Sequence, residues 1–328
     1  MDAQAFRHGV ILDHQLQQHL KPIITGRGSA KGITIVRGRV SGSPKILRED
    51  RRLTSLRDKC VLITGAGRGI GKRLAFGFAK AGARVGLLAR SQAELDLAKL
   101  EIEQAGGSAL RIRADVRDLE QVMAAADRVR AVFGGFDALV CAAGVGGPIG
   151  PFLSSKPKAW SEAIDVNLEG VANACRAALP AMVAKRSGKI IAIAGPGAGH
   201  PRPNFTAYAA SKAAVVRFVE CLAEEVRDQN VQVNAMAPGG TYTHITDEVL
   251  HAGEARAGRK EIEEAEQSRI TGGMAPEKQI QLALFLASER SNHISGKLIH
   301  VSDDWKKLRS ENIHPEIFTL RRLQKVNP

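Results

Sequence analysis

The chain has 328 residues, of which 44% are hydrophobic and 25% are charged, which is enough for one α/β domain of about 250 residues with extensions at its ends. Its formal net charge of +13 favours anionic partners, but residues 1–59 hold 12 Lys and Arg against 5 Asp and Glu, so more than half of the excess precedes the regular part of the chain. The sequence contains neither a signal peptide nor an apolar run of 18 residues, which argues against secretion and against a membrane-spanning protein.

Residues 1–59 form a basic extension before the regular pattern begins. Between positions 24 and 44 they are rich in Gly, Arg and Ser, a composition that can wrap an acidic surface or a nucleic acid. The segment from Arg7 to Lys59 has no Phe, Tyr or Trp on which bases could stack, so we do not expect nucleic-acid binding. Two interpretations stay open: a small accessory or oligomer-forming element, and a poorly ordered or wrongly assigned start of the chain.

From residue 60 the sequence alternates between short apolar runs and longer helical stretches. The seven apolar runs, which are the predicted strands, are residues 60–64, 84–89, 109–114, 138–142, 189–194, 232–237 and 297–301. Helical periodicity fills residues 71–81, 93–105, 119–132, 160–185, 207–228 and 276–288. Strands that are apolar throughout and are separated by helices predict a parallel sheet covered on both faces, a doubly wound Rossmann-type α/β domain over residues 60–301.

Two further segments are predicted to cover or extend this domain. Residues 242–272 are charged and broken by glycines, and we expect a mobile segment over the substrate there. Residues 302–328 form a tail with the apolar side chains Trp305, Ile317, Phe318 and Leu320. We expect this tail to pack on the body of the domain or on a neighbouring subunit.

The cysteines of the chain indicate its redox environment. They are Cys60, Cys141, Cys175 and Cys221. They are widely spaced, and they form no CxxC pair and no metal-ligand spacing, so we predict no metal site. Three of them lie in apolar segments typical of buried residues. We therefore expect reduced core thiols in a cytoplasmic protein.

A glycine-rich turn, TGAGRGIG, occupies residues 64–71 between the first predicted strand and the first predicted helix. Gly65 allows the tight turn, Gly69 lets the backbone approach a pyrophosphate, and Gly71 permits close packing of helix and strand. The N-terminus of the following helix adds a positive dipole end. This context predicts a dinucleotide-binding site rather than an ordinary strand–helix turn.

The end of the second strand distinguishes the two nicotinamide dinucleotides. An Asp or Glu there binds the ribose 2′-hydroxyl of NAD, but this chain has Ala89 followed by Arg90. Arg90 and Arg68, which lies inside the glycine turn, are suited to bracket a 2′-phosphate because guanidinium groups match phosphate oxygens. We therefore predict NADP rather than NAD, unless both arginines are only solvated surface charges.

Tyr208 and Lys212 are one helical turn apart in the sequence TAYAASK. This spacing puts both side chains on one face of the predicted helix. A free tyrosine has a pKa of about 10 and is a poor base at neutral pH. A nearby ammonium group stabilises its phenolate and so lowers this pKa. Tyr208 is thus predicted to donate a proton to a carbonyl oxygen, or to accept one in the reverse direction, with Lys212 lowering its pKa.

With these motifs in this order, residues 60–300 resemble the short-chain dehydrogenase/reductase superfamily. The further matching positions are Asp115 in RADVRD, Asn167 in IDVNLEG, and Pro238, Gly239 and Thr243 in APGGTYT. The sequence CAAG at 141–144 stands where the family usually has NNAG. The resemblance implies an enzyme that interconverts a small carbonyl compound and an alcohol and that forms a homodimer or homotetramer. It also implies that Asn167 anchors a water that links Lys212 to solvent.

The predicted site combines the residues argued above with those that the resemblance adds. The catalytic residues are Tyr208, Lys212 and Asn167. The cofactor-binding residues are Gly65, Arg68, Gly69, Ile70, Gly71, Arg90, Asp115, Val116, Ala143, Gly144, Tyr208, Lys212, Pro238, Gly239 and Thr243.

One catalytic residue of the family is missing. The serine that polarises the substrate carbonyl in this family lies thirteen positions before the tyrosine, where this chain has Gly195. Removing such a donor costs on the order of 10²-fold in rate. Three explanations stay open. A backbone N–H of the GPGAG loop replaces the hydroxyl; or a side chain does, with Thr206, Asn204 and His200 as candidates; or the chain is a sensor or regulatory protein that binds NADP with little catalysis.

Basic residues lie near the expected substrate end of the site. They are Arg202, Arg256, Arg259 and Lys260. They would suit a substrate that carries a carboxylate or a phosphate. We expect residues 256–260 instead to face solvent, neutralised by the glutamates between positions 261 and 266. The sequence therefore leaves the substrate open.

Overall fold

The computed structural model describes residues 56–314 and 316–321. The basic extension predicted at residues 1–59 therefore lies outside the described residues except for its last four positions. Within those four, Leu56 is buried and its backbone N–H donates to the Ala81 oxygen at 3.0 Å. The described part of the chain thus begins against the end of the first helix.

Seven parallel strands form one sheet in the order β3-β2-β1-β4-β5-β6-β7. They are β1 Cys60–Thr64, β2 Arg84–Ala89, β3 Ser108–Arg113, β4 Ala138–Cys141, β5 Gly188–Ile193, β6 Val231–Ala237 and β7 Leu298–His300. Each begins and ends within one residue of its predicted bounds. The central strands are buried on both faces, which explains why each appears in the sequence as a continuous apolar run. The predicted doubly wound parallel sheet is confirmed.

Helices cover both faces of the sheet. They are α1 Gly69–Lys80, α2 Gln92–Gln104, α3 Leu119–Phe133, α4 Pro157–Ile164, α5 Gly170–Ala184, α6 Thr206–Glu225, α7 His244–Ala252, α8 Glu254–Ala257, α9 Arg259–Thr271 and α10 Pro276–Leu286. Short 3₁₀ turns lie at Phe152–Ser154, Arg227–Gln229, Glu289–Ser291, Trp305–Lys307 and Ser310–Asn312. Leu74 of α1 and Leu282 of α10 belong to the core on one face, and Val129 of α3 and Val215 of α6 belong to the core on the other.

The helix predicted over residues 160–185 is interrupted in the structure. A π-helical turn, Asp165–Glu169, separates α4 from α5. Asn167 lies in the middle of this turn, where it is fully buried and hydrogen-bonds to Val145 and Ser211. Because these partners are distant in sequence, the helical pattern alone does not reveal the turn.

The segment expected to be mobile, residues 242–272, folds into helices α7, α8 and α9. The glycines that interrupt its sequence end the three helices in turn: Gly253, Gly258 and Gly272. Ala265 of α9 is buried in a cluster that includes Phe205 and Tyr208. We call this three-helix segment the lid, since it covers one side of the cavity described below.

The described part of the tail packs on the body of the domain. The Trp305 ring lies 5.0 Å from the ring of Phe285 in α10, measured between centroids. The Phe318 carbonyl accepts a hydrogen bond from the backbone N–H of Leu298 at 2.7 Å. Because β7 is the last strand of the sheet, this bond covers a donor on the sheet edge.

The tail also binds a buried carboxylate of α6. The backbone N–H of Leu320 donates to Glu220 Oε1 at 2.7 Å, and Arg321 Nη1 donates to Oε2 at 3.1 Å. Arg217, one turn earlier in α6, donates to the Leu320 carbonyl at 2.6 Å. Arg217 Nη1 also donates to Glu220 Oε2, so Glu220 is paired both on α6 and on the tail.

The glycine turn generates a test of packing. A Cβ on Gly71 would overlap the Gly65 carbonyl, which is backbone and cannot rotate away. We expect Gly71→Ala to lower the free energy of unfolding by about 1–3 kcal/mol in urea denaturation. Gly199→Ala is the control, because a Cβ there meets no atom within 4 Å. Equal stability of the two variants would contradict the packing argument.

Candidate active site

A cavity of about 720 Å³ opens at the carboxyl ends of the strands, where the strand order reverses between β1 and β4. Ligands of doubly wound sheets bind at this point. Every residue predicted to bind the cofactor lines the cavity: Gly65, Arg68, Gly69, Ile70, Gly71, Arg90, Asp115, Val116, Ala143, Gly144, Tyr208, Lys212, Pro238, Gly239 and Thr243. Asn167, the third predicted catalytic residue, lies behind the wall of the cavity.

The glycine turn brings β1 and α1 close to the end of β4. Gly65 has a φ of +67°, and a Cβ there would lie 2.6 Å from backbone atoms of Ala143. Only glycine combines this backbone conformation with so close an approach. The first turn of α1 contains no acidic residue, so its free N–H groups are not opposed by a carboxylate of their own helix. The turn is suited to hold a pyrophosphate.

The part of the cavity next to β2 carries both signs of charge. Arg68 and Arg90 line it, and so does Glu94 of α2. Arg68 Nη1 lies 3.3 Å from Glu94 Oε1. The sequence predicts no carboxylate at the end of β2, but the first turn of α2 supplies one. The sequence does indicate that Glu94 lies in the first turn of a helix, because Ser91 and Glu94 have the spacing of a capping box. In the structure, Ser91 Oγ accepts a hydrogen bond from the Glu94 N–H at 3.3 Å.

Asp115 lines the same part of the cavity and is held by Arg117. Arg117 Nη2 donates to Asp115 Oδ2 at 2.7 Å, and its Nε donates to the same oxygen at 3.1 Å. The hydrogen bond from Arg117 lowers the pKa of Asp115 against the opposing effect of burial. Asp115 is therefore ionised at neutral pH, and its carboxylate has a fixed orientation.

Helix α6 places Tyr208 and Lys212 side by side at the cavity. Lys212 Nζ donates to the Ile193 carbonyl, at the end of β5, at 2.8 Å and lies 5.8 Å from the centre of the Tyr208 ring. Burial lowers the pKa of Lys212 to about 8, against the opposing effect of Cys141. Burial raises the pKa of Tyr208, and the cation that opposes this rise is Arg202. From the sequence, that effect was assigned to Lys212.

Asn167 uses its whole amide group on protein partners. Its Nδ2 donates to the Val145 carbonyl and to Ser211 Oγ, both at 3.0 Å. Its Oδ1 accepts from the Val145 N–H at 2.8 Å. Ser211 in turn donates to the Tyr208 carbonyl at 2.7 Å. The π-helical turn is thereby connected to the helix that carries Tyr208.

Gly195 lies directly against Tyr208. A Cβ built on Gly195 would overlap the Tyr208 hydroxyl and would lie 3.1 Å from the ring carbon that carries it. The hydroxyl thus occupies space that a side chain at position 195 would need. Among the described residues that line the cavity, none is one of the three candidates for a substitute donor. One of those, Thr206, accepts a hydrogen bond from Trp160 Nε1 at 3.1 Å instead.

Arg202, in the loop after β5, forms a wall of the cavity together with Glu261 of the lid. Its Nε and Nη2 donate to the two Glu261 oxygens at 3.0 and 2.6 Å, and the side chains are only 10% and 19% exposed. The guanidinium carbon lies 3.8 Å from the centre of the Phe205 ring and 5.4 Å from that of Tyr208. The sequence shows these charges but not their pairing, because 59 positions separate them.

The other basic residues near the mouth lie on the outer side of the lid. Arg259 pairs with Glu263 at 2.7 Å, and Lys260 lies 3.7 Å from Glu264, with both cations mostly exposed. Arg256 Nε donates to the Ile149 carbonyl at 3.0 Å. Arg202 is therefore the one member of the predicted basic set that lines the main cavity in the described part of the chain.

Two other classes of site are absent from residues 56–314 and 316–321. No three His, Cys, Asp or Glu side chains in these ranges are grouped so that they could hold a metal ion. No helix in these ranges is both long enough and apolar enough to cross a membrane. The cysteines are all free, with Cys60, Cys141 and Cys175 buried and Cys221 exposed.

Known proteins resemble this chain over most of their length. The family model described as short chain dehydrogenase matches residues 59–253. The 3-oxoacyl-(acyl-carrier-protein) reductase FabG of Thermotoga maritima is 33% identical over 248 residues, which cover 75% of this chain and 97% of that enzyme. The 3beta-hydroxysteroid dehydrogenase 1 of Eggerthella lenta is 35% identical over 250 residues, which cover 75% and 93% of the two chains.

Solved structures share the fold. A short-chain type dehydrogenase/reductase from Mycobacterium marinum superposes with a TM-score of 0.67 at 32% identity, covering 76% of this chain and 96% of the other. A gluconate 5-dehydrogenase from Burkholderia cenocepacia, in complex with NADP and tartrate, also has a TM-score of 0.67, at 28% identity and with the same coverage of both chains. The sheet and its flanking helices are therefore those of a known group of oxidoreductases.

The contact between Gly195 and Tyr208 can be measured by a double-mutant cycle. We expect Gly195→Ala to cost about 1–3 kcal/mol of unfolding free energy, because its Cβ displaces the tyrosine hydroxyl. In a Tyr208→Phe background the hydroxyl is gone, and the cost should fall by at least about 0.5 kcal/mol. Chemical denaturation of the four proteins gives the coupling. The same cost in both backgrounds would show that the two residues are not in contact.

Burial of Lys212 makes stability depend on pH. Its pKa is about 8 in the folded protein against 10.5 for an ordinary lysine, so the unfolded chain binds more protons between these values. The penalty is complete below pH 8 and disappears as the pH rises to 10.5. The stability of Lys212→Met relative to wild type should therefore decrease across this window, by up to about 1.4 kcal/mol per pH unit. Lys260→Met, at an exposed lysine, controls for the loss of a lysine as such. A constant difference would refute this origin.

Proposed function

We propose, because the chain belongs to the short-chain dehydrogenase/reductase family of oxidoreductases, that it is an NADP-dependent enzyme that interconverts a carbonyl compound and an alcohol. One observation carries the proposal: a single cavity brings together the glycine turn, at residues 64–71, and the pair Tyr208 and Lys212. The turn alone would suit any dinucleotide, and the pair alone would suit any proton transfer. Their common cavity supports hydride transfer coupled to proton transfer.

The residues of the cavity fit a dinucleotide. At Gly65 the turn lies against the backbone of Ala143, where a Cβ would not fit, and the N-terminus of α1 offers free N–H groups to the pyrophosphate. Asp115 is ionised and oriented to accept hydrogen bonds. Pro238, Gly239 and Thr243 would hold the nicotinamide end. When bound, NADP supplies or accepts the hydride.

Tyr208 would handle the proton. In the direction of reduction its hydroxyl gives the proton to the substrate oxygen, and the phenolate that remains regains a proton from solvent. Lys212 lies on the same helix face, where its Nζ is held by the Ile193 carbonyl. Asn167 would act through position, because its hydrogen bonds connect the π-helical turn to α6.

Two arginines support NADP over NAD. Arg68 and Arg90 line the cavity next to β2, and both can form charge-assisted hydrogen bonds to a 2′-phosphate. Glu94 opposes this preference, because it pairs with Arg68 and its carboxylate could accept a hydrogen bond from a 2′-hydroxyl. We propose that the two cations outweigh the single carboxylate.

The missing serine is the reason for a second candidate function. Since none of the proposed substitute side chains lines the cavity, the remaining donor is a backbone N–H of the loop after β5. Pro196 has no N–H, and Gly195 is the other residue of the GPGAG loop that lines the cavity, so the Gly195 N–H is the candidate. If it does not reach the substrate oxygen, the chain would bind NADP as a sensor or regulatory protein with little turnover.

Substrate, assembly and location are proposed only as classes. The relatives are, by their names, a reductase of 3-oxoacyl groups and a dehydrogenase of 3beta-hydroxysteroids, which share only the carbonyl and alcohol chemistry. We therefore propose a small-molecule carbonyl or alcohol substrate without naming it. A homodimer or homotetramer stays a prediction from the family resemblance, and a cytoplasmic location stays a prediction from the cysteines of the sequence.

The proposal is tested by cofactor titration followed by turnover. We expect NADPH to bind more tightly than NADH, and an Arg68→Ala/Arg90→Ala double variant to lose at least about tenfold in NADPH affinity with NADH affinity kept. NADPH oxidation is then measured with aldehydes, ketones and quinones. Tyr208→Phe should keep NADPH affinity and lose turnover. Arg128→Ala, an exposed arginine of α3 outside the cavity, is the control.

The outcomes separate the candidates. Tighter binding of NADH would overturn the argument from the arginines. Tight NADPH binding with no turnover of any compound would favour the sensor. Turnover that Tyr208→Phe leaves unchanged would remove Tyr208 from the mechanism.

A further inference from the structure

Tyr208 has two cations near its ring, and they differ in what holds them. Lys212 lies 5.8 Å from the ring centre and is bound to the Ile193 carbonyl. Arg202 lies 5.4 Å from the ring centre and lines the same cavity. A cation at this distance from an aromatic ring interacts favourably with it, and more so when the ring carries a negative charge.

We propose that Arg202 is the main cation that stabilises the ionised form of Tyr208, and that Glu261 of the lid holds Arg202 in this position. A role of Arg202 in catalysis rests on the function proposed above. The ionisation of Tyr208 is nevertheless a property of the protein alone, without substrate or cofactor. Arg202 is thus a positioning residue that acts through Tyr208.

Two partners hold the guanidinium group in place. Its flat face stacks on Phe205 at 3.8 Å, and its edge forms two hydrogen bonds to Glu261. With 10% of its side chain exposed, it has little contact with water that would screen its charge. An arginine held in this way loses little further freedom when a negative charge forms beside it.

The two cations also differ in when they are charged. A guanidinium group stays protonated at any pH that a folded protein tolerates. Lys212 has a pKa of about 8, whereas burial raises the pKa of Tyr208 above its ordinary value. Lys212 has therefore lost most of its charge at the pH where free Tyr208 begins to ionise, and Arg202 has not.

The other charged groups around Tyr208 do not supply a competing cation. On α7, His244 and Glu248 line the cavity 3.5 Å apart, and on α9 Glu264 also lines the cavity and lies 3.7 Å from Lys260. These carboxylates oppose phenolate formation rather than favour it. The charged residues of α4 are exposed, and Glu162 interacts electrostatically with Arg117. The Glu261 carboxylate offsets part of the positive charge of Arg202. Both residues are therefore replaced together in the experiment.

The chain allows the ionisation to be observed directly. It contains two tyrosines, Tyr208 and Tyr242, so a Tyr242→Phe protein reports Tyr208 alone through the ultraviolet absorbance of tyrosinate. In that background we compare the parent with Arg202→Lys and with Arg202→Met/Glu261→Gln. The double variant leaves no carboxylate stranded, and replacing a buried ion pair by uncharged side chains is commonly tolerated. Circular dichroism at each pH restricts the comparison to folded protein.

We expect the tyrosinate fraction of the double variant to be about tenfold lower at each pH of the rising limb, a displacement of about 1 pH unit upward. Arg202→Lys, which keeps a charge, should shift less. The control is Arg259→Met/Glu263→Gln, which removes an exposed ion pair of α9, the helix that carries Glu261. Its titration curve should coincide with that of the parent. Coincident titration of the parent and the Arg202→Met/Glu261→Gln protein would overturn the proposal.

The result is independent of turnover. If no carbonyl compound is reduced, the function proposed above fails, while the titration still decides the role of Arg202. If the enzyme is active, the basic limb of kcat/KM should move in the same direction as the absorbance in the double variant. A loss of activity with an unmoved titration and an unmoved pH profile would indicate a role for Arg202 in structure only.

Discussion

The geometry of the cavity depends on one close approach of backbone to backbone, that of the glycine turn to the end of β4. Gly65 lies against Ala143, and Gly71 lies against the Gly65 carbonyl, so no side chain separates the turn from the strand. This contact fixes the N-terminus of α1 relative to β4. The neighbouring strand β5 ends at Ile193, whose carbonyl receives Lys212. The phosphate end and the proton-handling end of the cavity are thereby built on adjacent strands of one rigid sheet.

A second glycine shapes the other end of the cavity. Gly195 has no side chain, and the Tyr208 hydroxyl lies in the space that a side chain would fill. The same region buries Lys212 and Arg202, and each cation has an oxygen partner, a carbonyl for the lysine and the Glu261 carboxylate for the arginine. Buried charges need such partners, because desolvation is otherwise costly. A region that lacks the usual hydroxyl of its family thus retains two cations around its tyrosine.

The sheet could be predicted from the sequence because each strand is buried along its whole length and is bounded by turn residues. The residues of the cofactor cavity could be named for a similar reason, since strand ends meet at one edge. What the sequence did not reveal depends on contacts between distant segments. The break around Asn167 requires its bonds to Val145 and Ser211, and the pair Arg202 and Glu261 joins the loop after β5 to the lid. Single-chain periodicity contains no information on either contact.

The tail gives the helix that carries Tyr208 a second anchor at its far end. Glu220 of α6 accepts a hydrogen bond from the backbone N–H of Leu320. Just before it in the tail, the Phe318 carbonyl accepts a hydrogen bond from the Leu298 N–H of the edge strand β7. A protease that removed residues 316–321 would leave the buried Glu220 carboxylate with Arg217 as its remaining partner on α6 and would open a sheet edge to strand addition by other chains. Loss of these residues would thus affect both the solubility of the protein and the position of α6, the helix that carries Tyr208. It would do so although the tail lies away from the cavity.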